Sequence, residues 1–185
     1  MRVGLLGLQG AFLDHIPHLQ RCGVEPVIVR DAQALSKIDR LIIPGGESTV
    51  MSKFLHEFGM LPPLLERISA GLPVWGVCAG AILLSEQIDG LPGVISALPI
   101  SVTRNAYGRQ IASDTRTIDI ALLNLEDYPA IFIRAPRIDR VGDGVIVHAV
   151  RDRDPVFVQK DRILASTFHP ELNLDDIFHR YFISL

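Results

Sequence analysis

Apolar residues gather in short uninterrupted runs at 3–6, 26–29, 41–43 and 73–77, with Gly or Pro recurring at their bounds. A strand buried on both faces reads this way, because both rows of its side chains are covered. Helical spacing fills the intervals. Residues 11–21 place Phe12, Ile16 and Leu19 on one face and stop before Gly23, and 49–58 and 62–69 follow, the last ending at Gly71. Alternation of strand and helix implies right-handed crossovers and a parallel sheet. In the second half the runs 118–123, 130–133, 145–150, 156–159 and 163–168 read as shorter strands. Gly142-Asp143-Gly144 and 151–155 read as hairpin turns, and 175–185 as a closing helix. No linker, repeat or low-complexity tract divides the chain, so residues 1–185 are expected to form one mixed α/β domain.

The 185 residues suit a single domain. A hydrophobic content of 48% raises the question of a membrane span. The longest apolar run, 70–84, is broken by Gly71, Pro73, Gly76 and Gly80 and falls short of the roughly 20 residues a span needs. The first residues lead straight into a strand with no cleavage pattern, which points to a cytoplasmic protein. Eighteen Lys and Arg against 21 Asp and Glu give a net charge of −3, with the signs interspersed, so nucleic acid and anionic membrane lose their electrostatic support as partners. Two cysteines, Cys22 and Cys78, form neither a disulfide framework nor a zinc spacing, and suggest a reducing compartment. Gly4, Gly7 and Gly10 do not make a dinucleotide fingerprint, and no phosphate loop occurs. His15 and His18 are separated by Pro17 and lack an evident third ligand, so no metal is expected. Cys22 reads as structural, and His56, His148 and His179 have no recognisable partners in the sequence.

The chemistry concentrates in three stretches, each at the end of an expected strand. Gly76-Val77-Cys78-Ala79-Gly80 has the form of a nucleophile elbow with cysteine in the serine position, where flanking glycines permit a sharp strand-to-helix turn. The N-terminus of the following helix favours a thiolate. A lone cysteine in an apolar run is ordinarily a small core residue, and only the paired glycines lift Cys78 above that reading. His169-Pro170-Glu171 supplies a base and a group to orient it, since residues i and i+2 of an extended segment share a face; alone, such a tripeptide is usually a surface turn. In Pro44-Gly45-Gly46-Glu47-Ser48-Thr49, adjacent glycines allow a backbone N–H to turn inward and form an oxyanion hole from Gly46 and Ala79; the plainer alternative is a turn with Ser48 as helix N-cap. Arginines in Arg104-Asn105-Ala106-Tyr107-Gly108-Arg109-Gln110 and in Ile133-Arg134-Ala135-Pro136 suit a substrate carboxylate, although most arginines are solvated surface residues.

These motifs resemble the class I, triad glutamine amidotransferases and, within them, the glutaminase subunits of pyridoxal 5′-phosphate synthase. Gly76 to Gly80 and His169-Pro170-Glu171 match the class. The stretches 4–11, 44–49, 104–110 and 132–136 are similar to that subunit in particular, in order along the chain. The connection from Asp89 to Pro99 looks shorter than is usual there, and Val77 stands where threonine often precedes the nucleophile.

The resemblance implies a flavodoxin-like, single-domain α/β fold: a mixed sheet with a parallel core, helices on both faces and an antiparallel extension. It implies a triad of Cys78, His169 and Glu171, and a glutamine pocket lined by Gly46, Glu47, Ser48, Arg104, Ile133 and Arg134. L-glutamine would be cleaved through a cysteine thioester, with no metal or organic cofactor, and the ammonia passed to a synthase subunit in a hetero-oligomer for vitamin B6 biosynthesis. Gln9, expected at the same sheet edge as the Gly45 loop, would couple partner contact to that loop. Two other readings stay open on sequence alone: the glutaminase subunit of another biosynthetic pathway, and a non-catalytic binding or redox-sensing module built around Cys78.

Overall fold

A computed structural model describes residues 1–106 and 113–185. The strands in chain order are β1 (Arg2–Leu6), β2 (Glu25–Val29), β3 (Arg40–Ile43), β4 (Val74–Val77), β5 (Ser85–Ile88), β6 (Leu91–Pro92), β7 (Leu98–Thr103), β8 (Ser113–Ile120), β9 (Leu125–Ile133), β10 (Arg137–Val141), β11 (Ile146–Arg151), β12 (Asp154–Lys160) and β13 (Ile163–Ser166). The helices are α1 (Ile16–Arg21), α2 (Ala32–Leu35), α3 (Ser48–Glu57), α4 (Leu61–Ser69), α5 (Ala79–Leu84) and α6 (Ile177–Ser184). Seven strands form one sheet in the order β11-β12-β13-β4-β3-β1-β2, parallel from β13 to β2 and antiparallel at the β11 and β12 edge.

The unbroken apolar runs have the reason the pattern suggested. Leu41 and Ile43 enter one core, with Leu6, Met51, Leu55, Leu64 and Leu84; Ile42 enters the other, with Val3, Leu5, Leu19, Trp75, Phe178 and Phe182. Successive strand residues point to opposite faces, and here both faces are covered: α2 to α5 lie on the first, α1 and α6 on the second. Helix 11–21 is two pieces, a 3-10 turn at Phe12–His15 and then α1, because Pro17 has no N–H to donate and fits only a first turn. The run 118–123 likewise ends as a strand at Ile120 and continues as a 3-10 turn.

One turn assignment is corrected. The Gly142 to Gly144 turn joins no hairpin, since β10 belongs to a second sheet of order β10-β7-β5-β6 while β11 belongs to the first. That second sheet did not stand out in the sequence. Strand β7 is alternately buried and half-buried, so it lacks the continuous apolar run that marks the parallel core. β8 and β9 pair as a separate antiparallel hairpin. The region 89–99 forms β6 and its flanking turns on β5 and β7.

Candidate active site

Strand β4 delivers Cys78 at the carboxyl edge of the parallel sheet, and the turn there is sharp. Cys78 has φ 50° and ψ −100°, a region that non-glycine residues rarely occupy and that surrounding structure must enforce. The neighbouring glycines make the enforcement possible. A Cβ on Gly80 would lie 2.1 Å from the carbonyl oxygen of Ile43 on β3, and one on Gly76 would lie 2.5 Å from the Gly80 carbonyl carbon. The Cys78 N–H donates to Ser166 O on β13 at 2.7 Å, which pins the elbow to the next strand. The thiol is nearly buried, with Sγ 3.7 Å from Ile133 O.

His169 arrives three residues beyond Ser166, and its N–H donates to Ile131 O on β9 at 2.8 Å. Its Nδ1 is 2.7 Å from Glu171 Oε1, with the carboxylate wholly buried. The two side chains meet for a different reason than the sequence suggested. Pro170–Leu172 is a 3-10 turn, so Glu171 folds back on the ring instead of sharing a strand face with it. Nε2 of His169 is buried and makes no hydrogen bond of good geometry among the described residues, yet the ring lies close enough to Cys78 to interact with its sulfur. Burial alone lowers the imidazole pKa; Cys78 and Glu171 outweigh it and push the pKa up to about 10. Burial likewise raises Glu171, but the bond from His169 and the proximity of His15 bring its pKa below the ordinary value.

The Pro44-Gly45-Gly46 loop lies against the same ring, for a Cβ on Gly45 would sit 2.5 Å from His169 Cε1. Ala11 N–H donates to Gly45 O at 2.9 Å. Because C=O and N–H of one trans peptide point oppositely, the Gly46 N–H faces away from Ala11. Gly46 has φ 155°, and a Cβ there would lie 2.9 Å from the Gly10 Cα, a backbone atom that cannot swing aside. Gln9 accepts from Glu47 N–H at 2.8 Å and so ties the loop after β1 to the loop after β3. Ser48 is not an N-cap: it is the first residue of α3, and Glu47 holds the cap position without a side-chain bond.

A cavity of about 320 Å³ joins these parts. Cys78, His169, Glu171, Gly46, Glu47, Ser48, Arg104, Ile133 and Arg134 all line it; Gln9 lies behind the loop, and Ala79 follows the nucleophile at the start of α5. Asp14, Ile82 and Leu172 also line it, and no motif in the sequence marks them. The two arginines are not free cations. Arg104 is clamped by Asp89 through its backbone N–H at 2.9 Å and Nε at 2.6 Å, while the exposed Arg134, at φ 44°, is 3.9 Å from Glu47 Oε1. Tyr107, Gly108, Arg109 and Gln110 lie outside the described residues. His179, which showed no partner in the sequence, is 2.9 Å from His15 Nδ1 through its Nε2, and His148 is paired with Gln159.

A buried thiol, an imidazole bound to a carboxylate and a glycine loop packed against that imidazole are the parts from which acyl transfer to cysteine starts. Comparison with known proteins gives the same direction. The model of the SNO glutamine amidotransferase family matches residues 5–185. The pyridoxal 5′-phosphate synthase subunit PdxT of Clostridium acetobutylicum is 45% identical over 186 residues, covering 100% of both chains, and that of Thermotoga maritima is 46% identical over 186 residues, covering 100% of this chain and 99% of the relative. A crystal structure described as a glutamine amidotransferase superposes with a TM-score of 0.91 at 41% identity, covering 98% of this chain and 97% of the other.

Proposed function

Since the chain belongs to the SNO glutamine amidotransferase family, we propose that Cys78, His169 and Glu171 are the triad with which it hydrolyses glutamine as the glutaminase subunit of a pyridoxal 5′-phosphate synthase. The observation that carries this is the joint placement of a left-handed Cys78 and a His169–Glu171 pair at 2.7 Å on one cavity. With its pKa raised to about 10, His169 is an imidazolium at neutral pH, beside the sulfur that reacts as a thiolate. The thiolate attacks the side-chain amide carbon of glutamine. The resulting oxyanion rests on the Gly46 and Ala79 N–H groups, and His169 gives its proton to the departing ammonia. Water then yields a proton to His169 and attacks the thioester, releasing glutamate and the Cys78 sulfur beside a protonated His169.

Gly46, Glu47, Ser48, Arg104, Ile133 and Arg134 hold the substrate. Ion pairing to Asp89 and Glu47 positions the two guanidiniums at the cavity mouth and leaves part of each fork open to a carboxylate. Ammonia released into neutral water becomes ammonium and loses its nucleophilicity, so a synthase subunit docked over the site, in a hetero-oligomer, is its receiver. Gln9 couples that docking to the oxyanion loop through its bond to Glu47 N–H. The test is glutamine hydrolysis by the purified chain with and without a synthase subunit: stimulated release of ammonia supports the reading, and no hydrolysis in either case overturns it.

A further inference from the structure

The triad carboxylate is only half accounted for. Oε1 of Glu171 meets His169, but Oε2 is buried and accepts no hydrogen bond among the described residues. An unsatisfied oxygen on a buried carboxylate is costly. The 3-10 turn Phe12–His15 packs against the 3-10 turn that carries Glu171, and its last residue, His15, is completely buried. His15 has the complementary defect: its Nε2 is also buried and without a partner.

The other side of His15 is well held. Its Nδ1 is 2.9 Å from His179 Nε2 on α6, and its ring edge meets Trp75 at a centroid distance of 5.8 Å. His179 in turn stacks on His18 at 4.4 Å, nearly parallel. His18 Nε2–H donates to the backbone oxygen of Glu171 at 3.0 Å, and its Nδ1 lies 2.9 Å from Asp176 Oδ1. Three imidazoles thus form a layer beneath the Glu171 turn. They do not make a metal site, since no group of three or more His, Cys, Asp or Glu among the described residues converges as a metal ion requires.

A neutral imidazole has one donor and one acceptor nitrogen. Were His15 Nδ1 the donor to His179, its Nε2 would carry a lone pair and could donate nothing to the Glu171 turn packed against it. Were His179 Nε2 the donor, His15 Nε2 would carry the hydrogen. Only the second arrangement gives Glu171 a donor. We propose that His15 is a positioning residue for the triad, held by His179 as the Nε2–H tautomer so that it presents this hydrogen to Glu171 Oε2 and fixes the carboxylate that orients His169. The proposal rests on the triad reading above.

The charges around His15 suit that role. Burial, first, and the neighbouring His18 and His169 lower its pKa, while Glu171 and Asp14 raise it; the result is about 4. His15 is therefore neutral at pH 7, and His179, lowered mainly by burial and then by His15, His18 and Arg21, is neutral too. A neutral donor steadies Glu171 without cancelling the negative charge that His169 needs.

The experiment is nitrogen-15 NMR of the histidine rings in the full chain from pH 4.5 to 8, with glutamine kinetics of wild type, His15→Phe and His15→Gln, each checked for folding by thermal unfolding. Wild type is expected to show His15 neutral and protonated on Nε2 from pH 5.5 upward; a wild-type His15 protonated on Nδ1, or charged at pH 7, overturns the proposal without any variant. In His15→Phe, kcat is expected to fall about tenfold with KM within about twofold, and the acid limb of kcat to move to higher pH as Glu171 protonates more easily. His15→Gln, which can donate from its amide, should restore kcat to within about threefold. A folded His15→Phe with wild-type kcat and pH profile overturns the proposal, as does loss of kcat that His15→Gln does not relieve. Absence of glutamine hydrolysis in wild type, with or without a synthase subunit, would count against the functional reading, while the tautomer still decides the role of His15.

Discussion

The His169 ring lies between a sulfur and a carboxylate that both favour its charged form, and burial, which opposes the charge, is outweighed. Removing the sulfur reverses the balance. In Cys78→Ala the His169 titration midpoint is expected to fall from about 10 by more than about one unit, measured by NMR of the ring; an unmoved midpoint would mean that the pair does not exist. The same variant should retain its fold and lose glutamine hydrolysis by at least about a thousandfold, because members of a triad act as a unit. Arg104 is a different kind of residue. It is half exposed and already paired with Asp89, so its truncation is expected to raise KM about five- to tenfold, roughly 1 kcal/mol, with kcat little changed. Steady-state kinetics of Arg104→Ala decide this, and a fall confined to kcat would place Arg104 among the residues that stabilise the transition state. Cys78 and Arg104 were each singled out by the sequence, and both line the cavity. The Asp89 clamp was not singled out, because it depends on a turn between β5 and β7 bringing an unremarkable aspartate beside Arg104.

At the level of elements, the elbow exists because β3, β4 and α5 approach more closely than side chains permit. Gly80→Ala puts a Cβ at 2.1 Å from a backbone oxygen, which has no flexible end to swing aside. Destabilisation of about 1–3 kcal/mol or more is expected, together with loss of activity as Cys78 shifts. Gly59→Ala, facing open space at φ 62°, should cost only the strain of a left-handed residue, about 1 kcal/mol, and leave activity intact. Urea denaturation and glutamine hydrolysis of the two variants make the comparison, and equal effects on activity would deny the elbow its dependence on close approach. Parallel strands and the elbow were readable because burial on both faces and paired glycines leave marks within a few residues. The second sheet was not readable: β10 pairs with β7 across the whole β8–β9 hairpin, and β7 alternates buried with half-buried positions where the parallel core has unbroken apolar runs. The His169–Glu171 contact was anticipated for an extended segment and is made by a 3-10 turn, a distinction that adjacent residues in a sequence do not carry.

Across the whole molecule, the titratable groups buried around Cys78, His169 and Glu171 set how stability varies with pH. His15 and His179 fold into neutral, desolvated positions with lowered pKa values, about 4 for His15, so the unfolded chain binds protons that the folded chain refuses once the pH drops below 6.5. Stability is therefore lost as pH falls from 6.5 toward 4, with His15 contributing on the order of 3 kcal/mol. Glu171, Asp89 and Asp176 have lowered pKa values in the fold, so their share is present above the usual carboxylate range and disappears as pH falls through it, extending the loss on the acid side. His169 acts in the opposite sense. Its pKa is raised from 6.5 to about 10, so its contribution is complete below 6.5 and is lost as pH rises through that window. None of this was visible in the sequence, where the six histidines are scattered and only the fold stacks His18 on His179 and joins His179 to His15. The urea midpoint is expected to peak between about pH 6 and 7 and to decline on both sides. Cys78→Ala should flatten the alkaline limb alone, since it removes the strongest support for the His169 charge while leaving His15 and His179 in place. A stability maximum above pH 9, or an alkaline limb unchanged by Cys78→Ala, would show that the charged His169 does not contribute to holding the fold.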